Sequence, residues 1–342
     1  MRTPALQDQR RQHGQTDQSP QSARLAFARC PIGRRPSTAA KPPMGQRLGT
    51  LCCLLVFGQF AGGLARAAGA PVEIPFELEG HNIVIGVDFG SGQRLPFAFD
   101  SGLAPGNIVT PEAAKRIGIK PEASLGVHDA SGERVDARIS KVAKLRIAGL
   151  ELSDQLFAIT SVPRKVLRRP GKGLLAGYIG APLLADAVVC IDYTRRKLVH
   201  WHRPDFPGAD LASVPMQLKH GLPTVSVDID GAPATLIVDS GADTAITVYA
   251  SFAQQHDFNR RYRISAVDHG NGGSGRQFQA LSTQAGSTVL GPGAAFENTP
   301  MQVIPQGMDP DWGIDGTLGY QVLRQLNPCL DEAGGRLMYR GE

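Results

Sequence analysis

Two aspartates in nearly identical surroundings are the residues of this chain whose types and spacing best fit chemistry. Asp100 stands in FAFDSG and Asp239 in LIVDSG, so each follows a run of apolar, strand-forming residues and precedes Ser-Gly. A carboxylate at the end of a buried strand is costly unless it is paired or hydrogen-bonded. Two carboxylates that lie close together do not both ionise easily, so such a pair contains an acid and a base.

A pair of this kind is able to activate water. The ionised carboxylate takes a proton from a water molecule, and the protonated one donates a proton to the carbonyl oxygen that the water attacks. We expect Ser101 and Ser240 to hydrogen-bond the backbone or the carboxylates and to fix the approach of the two strands. Gly102 and Gly241 permit a tight turn beside each acid, where a side chain would intrude. This chemistry needs no metal and no organic cofactor.

The chain contains its own duplicate at a shift of 139 residues, which separates the two aspartates. The same shift aligns a second region, and the matching pairs there are Gly177/Gly316, Gly180/Gly319, Leu184/Leu323, Cys190/Cys329, Asp192/Asp331 and Leu198/Leu337. The sequence therefore predicts two homologous lobes, 71–206 and 207–342, with the Pro- and Gly-containing stretch RPDFPGADLA between them. Equivalent acids in the two lobes are expected to meet across a pseudo-twofold axis.

Alternating apolar residues predict antiparallel strands at the start of each lobe, for example Val72 to Leu78 and Val225 to Ile229. Hairpin turns fit Gly90-Ser91-Gly92 and Asp230-Gly231, just before each Asp-Ser-Gly triplet. Short helices are expected at Pro111–Ile117, Pro182–Ala187 and Tyr320–Leu326. The predicted fold class is all-β.

The calculated isoelectric point near 9.0 does not indicate nucleic-acid binding. Residues 1–67 contain ten Lys or Arg and two acids, so 26 basic and 29 acidic residues remain in 68–342. A nucleic-acid-binding domain usually has a basic surface on its folded part. We expect a peptide or protein partner instead, and a monomer in which the two lobes pair within one chain.

The first 70 residues are predicted to lie outside the fold. Residues 1–43 are rich in Gln, Arg, Pro and Ser, and such a composition favours disorder. Residues 44–70 resemble a signal peptide, with Met44, a basic residue, an apolar run and small residues in A-x-A spacing. Two interpretations stay open: translation starts at Met44, or the segment is an uncleaved membrane anchor with a short cytoplasmic tail. The expected location is the periplasm or the exterior.

The motifs resemble those of the retropepsin-like and pepsin-like aspartic proteases. LIVDSGADTAITV (236–248) fits that family's Asp-Ser/Thr-Gly signature, and YIG (178–180) and TLG (317–319) fit its second, glycine-containing element. The resemblance implies one β-barrel per lobe, a cleft between the lobes, and endopeptidase activity of Asp100 and Asp239. It also implies hairpin flaps over the substrate, for which Gly132, Gly272 and Gly273 lie in candidate tips.

Cys190 and Cys329 occupy equivalent strands, which in this family contribute to a sheet between the lobes. A disulfide between the lobes and two buried free thiols are both open, and two widely spaced thiols form no metal-site pattern.

The first lobe departs from the family at Leu103, where Ala or Ser is expected, and Pro105-Gly106 was interpreted as one added residue. The alternatives to a protease are therefore a non-catalytic peptide-binding pseudoprotease of the cell envelope, and a structural envelope protein that has kept only the fold.

Overall fold

The computed structural model describes residues 69–128, 134–271, 277–304 and 307–341, all within one compact unit that spans Leu64–Glu342. The predicted extension 1–43 and nearly all of the predicted signal peptide 44–70 lie outside the described residues. The candidate flap glycines Gly132, Gly272 and Gly273 lie outside them as well.

The first lobe consists mainly of strands. They are β1 (Val72–Pro75), β2 (Glu77–Glu79), β3 (Asn82–Asp88), β4 (Arg94–Phe99), β5 (Asn107–Val109), β6 (Ala123–His128), β7 (Arg134–Ile147), β8 (Leu150–Ile159), β9 (Arg168–Arg169), β10 (Gly173–Leu174), β11 (Gly177–Ile179), β12 (Ala187–Asp192) and β13 (Lys197–His202). Its helices are α1 (Pro111–Ile117), α2 (Arg164–Leu167) and a 3₁₀ turn at Ala181–Leu183.

Two 3₁₀ turns, Arg203–Asp205 and Gly208–Asp210, connect it to the second lobe. The strands there are β14 (Ala212–Lys219), β15 (Leu222–Ile229), β16 (Ala232–Val238), β17 (Ile246–Tyr249), β18 (Ala266–Asn271), β19 (Gln277–Gly291), β20 (Ala294–Ile304), β21 (Gly316–Leu318), β22 (Cys329–Asp331) and β23 (Arg336–Tyr339). The helices are α3 (Ala250–Gln255), α4 (Phe258–Arg261), α5 (Tyr320–Leu326) and a 3₁₀ turn at Pro310–Trp312.

Each lobe closes six strands into a barrel. In the first lobe the order is β3-β4-β11-β5-β8-β7, and β7 pairs back onto β3. In the second lobe the order is β15-β16-β21-β17-β20-β19, and β19 pairs back onto β15. Apolar side chains fill both barrels, as the mutually packed Phe89, Phe97 and Phe157 show in the first. The all-β prediction with one barrel per lobe is confirmed.

A six-stranded antiparallel sheet joins the lobes in the order β1-β13-β12-β22-β23-β14. Its centre is the pairing of β12 with β22, where Val189 lies opposite Leu330 and Cys190 opposite Cys329. Of the two alternatives for these cysteines, the structure contains the disulfide. Each lobe thus contributes three strands to this sheet, and the equivalent strands meet at its middle.

Two of the three predicted helices have the predicted bounds, α1 and α5. Thr110 caps α1 by accepting a hydrogen bond from the backbone N–H of Ala113, and Gly118 ends it in the left-handed region. The predicted helix at Pro182–Ala187 is wrong. The chain makes one 3₁₀ turn at Ala181–Leu183, and Ala187 already begins β12, because that strand pairs with both β13 and β22.

The inserted residue inferred near Leu103 is also wrong. Val109 pairs with Gly177 in the first lobe and Val248 with Gly316 in the second, so both equivalences keep the shift of 139. Leu103 is therefore the counterpart of Ala242, and the two Asp-Ser-Gly loops have equal length.

Candidate active site

Each candidate aspartate follows directly on a barrel strand. Asp100 comes after β4 and donates its backbone N–H to Ile179 O at 2.9 Å, at the end of β11. Asp239 comes after β16 and donates in the same way to Leu318 O at 3.0 Å, at the end of β21. The strands of each pair run parallel, so they end at the same edge of the barrel. This is why the second glycine-containing motif must accompany Asp-Ser-Gly in each lobe.

The two serines connect the lobes reciprocally. Ser101 N–H donates to Ser240 Oγ and Ser240 N–H donates to Ser101 Oγ, each at 3.0 Å. The hydroxyls in turn donate across the axis, from Ser101 to Val238 O at 2.7 Å and from Ser240 to Phe99 O at 3.4 Å. Both serines are fully buried, so no water competes for these bonds. The serines fix the approach of the two strand ends.

The two glycines allow the carboxyl groups to meet. A Cβ atom at Gly102 would lie 2.7 Å from the carboxyl carbon of Asp239. A Cβ atom at Gly241 would lie 2.6 Å from Oδ2 of Asp100. Each glycine thus packs against the aspartate of the opposite lobe, and any larger residue there would push the two acids apart.

The backbone donors around the two carboxylates are unequal. Asp239 Oδ1 accepts from the N–H groups of Gly241 at 2.9 Å and Ala242 at 3.0 Å. Asp100 Oδ1 accepts from Gly102 at 2.8 Å, while the N–H of Leu103 donates to the backbone oxygen of Asp100. Because hydrogen bonds to a carboxylate favour its charged form, Asp239 is the better stabilised anion.

Electrostatics separate the two acids in the same sense. Burial, and then the charge of Asp239, raise the pKa of Asp100 well above its ordinary value. Burial also raises the pKa of Asp239, but the N–H groups of Gly241 and Ala242 and the hydrogen bond with Asp100 oppose that rise. The pair therefore holds a shared proton, predominantly on Asp100.

Three tyrosines surround the pair, and the sequence motifs did not single them out as site residues. Burial raises the pKa of Tyr178, Tyr193 and Tyr249, and the negative aspartates add to each rise. These phenols stay neutral, so they form an apolar wall around the acids. Tyr178 stands in the YIG motif, but Tyr193 and Tyr249 reach the site through strand pairing and carry no local signal.

Leu103 does not break the arrangement in the first lobe. Its carbonyl oxygen accepts from Ala181 N–H at 2.8 Å, as that of Ala242 accepts from Tyr320 N–H at 2.9 Å. A Cβ atom at Gly180 would lie 2.9 Å from Leu103 Cγ, so the leucine side chain packs over this glycine.

No group of three or more His, Cys, Asp or Glu side chains in the described ranges lies close enough together to hold a metal ion. Within those ranges, no helix has the length and apolarity to cross a membrane.

Two closed barrels with paired Asp-Ser-Gly loops define a two-lobed protein of the pepsin or retropepsin type. Residues 80–183 match the profile of a family described as aspartyl protease. A search of curated protein sequences gives no match. Among solved structures, basic 7S globulin from soybean is similar at 13% identity, with 80% of this chain and 95% of that chain covered and a TM-score of 0.47. The match places the chain in the aspartyl protease family.

Replacing the serines is expected to destabilise the protein unequally. Ser101→Ala leaves Ser240 N–H unpaired and removes the 2.7 Å bond to Val238 O, whereas Ser240→Ala removes a 3.4 Å bond. We expect losses of about 1–3 kcal/mol in the free energy of unfolding, larger for Ser101→Ala. Urea denaturation measures both, with the exposed Ser213→Ala as the control. An equal loss or the reverse order would contradict this role.

The paired acids also predict a pH dependence of stability. Both pKa values are raised in the folded state, so above the ordinary aspartate range the folded protein binds more protons than the unfolded chain. Stability therefore falls as the pH rises through that interval. Asp100→Asn is expected to raise the melting temperature at pH 7 and to lose this advantage near pH 3. Thermal unfolding at both pH values tests it, and an advantage that grows on acidification would refute it.

Proposed function

We propose that the protein is an aspartic-type endopeptidase, which hydrolyses peptide bonds with a water molecule activated by Asp100 and Asp239. The observation that carries the proposal is the pairing of two equivalent carboxyl groups with unequal backbone donors. The family match of residues 80–183 supports the same activity. An acid and a base side by side are what peptide hydrolysis without a metal requires.

In the proposed reaction Asp239 is the base. It takes a proton from the water molecule while the water oxygen attacks the carbonyl carbon of the scissile bond. Asp100 gives its proton to the carbonyl oxygen, and a neutral tetrahedral diol results. Asp239 then passes its proton to the leaving nitrogen, the C–N bond breaks, and Asp100 recovers a proton from the diol. Both acids end in their starting states.

The proposed substrate is an extended peptide in the cleft between the lobes. Two hairpins, β6–β7 and β18–β19, stand in the positions where flaps are expected. The assignment of flap tips to Gly132, Gly272 and Gly273 stays a prediction.

We also place the protein in an oxidising compartment, the periplasm or the exterior. The disulfide between Cys190 and Cys329 supports this location, because structural disulfides form and persist outside the reducing cytosol. The signal-like segment 44–70 supports it independently.

Hydrolysis of a fluorogenic peptide library by the full chain between pH 3 and pH 7 tests the proposal. Cleavage that a statine-type inhibitor blocks would support it. Inhibitor binding by a folded protein that cleaves nothing would instead identify a peptide-binding pseudoprotease. A folded protein that neither cleaves nor binds would favour a structural role.

A further inference from the structure

Two hairpin tips lie beside the aspartate loops, and each tip contains a histidine. The β2–β3 hairpin turns at Gly80-His81, between the paired residues Glu79 and Asn82. The β14–β15 hairpin turns at His220-Gly221, between Lys219 and Leu222. The two turns occupy equivalent places in the duplicated lobes, with the histidine and glycine in reversed order.

The tip of the second lobe is packed firmly against its surroundings. The ring of His220 stacks on Trp312, with centroids 4.1 Å apart and planes 15° apart. Lys219 Nζ donates to Gly313 O at 2.6 Å. A Cβ atom at Gly221 would lie 3.6 Å from the Cβ of Ala104, four residues after Asp100. This tip therefore reaches across to the aspartate loop of the opposite lobe.

The tip of the first lobe is held at the level of the aspartates. Ile83 in β3 lies opposite Phe99, the residue before Asp100, so the turn two residues earlier is level with the Asp-Ser-Gly loop. By the equivalence of the lobes, this tip faces the loop of Asp239. His81 is half-buried, and its ring stacks on no other ring in the described part of the chain.

An ion-pair cluster fixes the base of this hairpin. The buried Arg169 donates to Glu79 at 2.9 and 2.8 Å and to Glu77 at 3.2 Å, and Lys172 pairs with both acids. Hydrogen bonding to Arg169 is the main cause that lowers the pKa of Glu79 to about 2. The charges next to His81 along its own strand are thus already neutralised, which leaves its imidazolium free to act on the cleft.

The groups that act on Asp239 from the packed elements are few. Asp100 shares its proton, and Tyr193 and Tyr249 are neutral phenols whose pKa values burial raises. Beyond its backbone donors and Asp100, the charge that lowers the pKa of Asp239 is that of His81. In this neighbourhood the histidine is the cation opposite the base.

We propose that His81 is a positioning residue of the aspartate pair, the cation that keeps Asp239 ionised in acid while His220 serves only packing. This inference rests on the proposed function, because it concerns the base of that reaction. A charge that favours the anion of Asp239 extends the active range to lower pH. As histidine titrates between about pH 5 and 8, the assistance fades towards neutral pH.

The test compares His81→Gln, which removes the charge, with His81→Lys, which keeps it, and with His220→Gln as the matched control. We expect His81→Gln to move the acid limb of kcat/KM to higher pH by about half a unit, as for a charge several ångströms away at the protein surface. His81→Lys should retain the parental limb, and His220→Gln should leave it in place. An unchanged limb in His81→Gln, or an equal shift in His220→Gln, would overturn the proposal.

A second readout separates this inference from the activity itself. The ¹³Cγ signals of labelled aspartates, assigned with Asp100→Asn and Asp239→Asn, report the titration of the pair without turnover. An upward move of the Asp239 midpoint in His81→Gln supports the proposal even if the protein cleaves no peptide, and an unchanged midpoint refutes it. Absence of cleavage by the parent would count against the endopeptidase alone.

Discussion

Asp239→Asn is expected to lower kcat/KM for peptide hydrolysis by about 10³-fold or more, since a general base contributes roughly 10²–10⁴-fold. The amide keeps the shape of the carboxylate and still accepts from Gly241 and Ala242 through its oxygen. It does not take a proton from water. The fold should therefore survive while the chemical step is lost.

Asp100→Asn should cause a loss of similar size for the opposite reason, because the amide has no acidic proton for the carbonyl oxygen. The steady-state rate on one peptide, measured from pH 3 to 7, tests both variants. Asp243→Asn is the control, since Asp243 is exposed and lies in the loop just beyond Ala242. If either active-site variant kept the parental rate, the two carboxyls would not form one catalytic unit.

The duplication was the most informative feature of the sequence, because it predicts contacts as well as similarity. The shift of 139 residues that aligns Asp100 with Asp239 also aligns Cys190 with Cys329, and the structure brings both pairs together across the same axis. A pseudo-twofold axis turns equal positions in the chain into neighbours in space. That is why the two acids, the serines and the disulfide cysteines could be named from the sequence.

The errors came from places where long-range pairing decides local structure. Ala187 starts a strand because β13 and β22 flank it, and a helical interpretation of the preceding residues could not include those partners. The loop after Asp100 was misaligned because Ile108 was matched to Ile246 by residue type. The barrel register matches Ile108 to Thr247, since Val109 and Val248 pair with equivalent glycines.

The surroundings of the acids were beyond sequence reasoning. Tyr193 and His81 lie far from Asp239 along the chain, and their effect on it depends on strand register and on hairpin packing. A histidine in a two-residue turn has no signature of its own. Its meaning appears only when the opposite hairpin shows where such a tip points.

Removal of the disulfide is expected to have the largest effect on stability. Cys190 and Cys329 close a loop of 139 residues and join β12 to β22, the one pairing between the strands of the two lobes in the described sheets. A crosslink over such a loop restricts the unfolded chain by about 4–5 kcal/mol in the chain-entropy estimate. We expect the double variant Cys190→Ser, Cys329→Ser to lose free energy of unfolding of that order in urea denaturation.

The parent protein treated with a thiol reductant serves as the matched control. It should lose the same stability, and the double variant should not respond to the reductant. Equal unfolding midpoints for the oxidised parent and the double variant would show that the crosslink contributes nothing. The bonds between Ser101 and Ser240 lie within the folded lobes and do not depend on the crosslink. A double variant that is less stable but still cleaves peptides would therefore separate the two roles, with the serines aligning the acids and the disulfide holding the lobes together against unfolding.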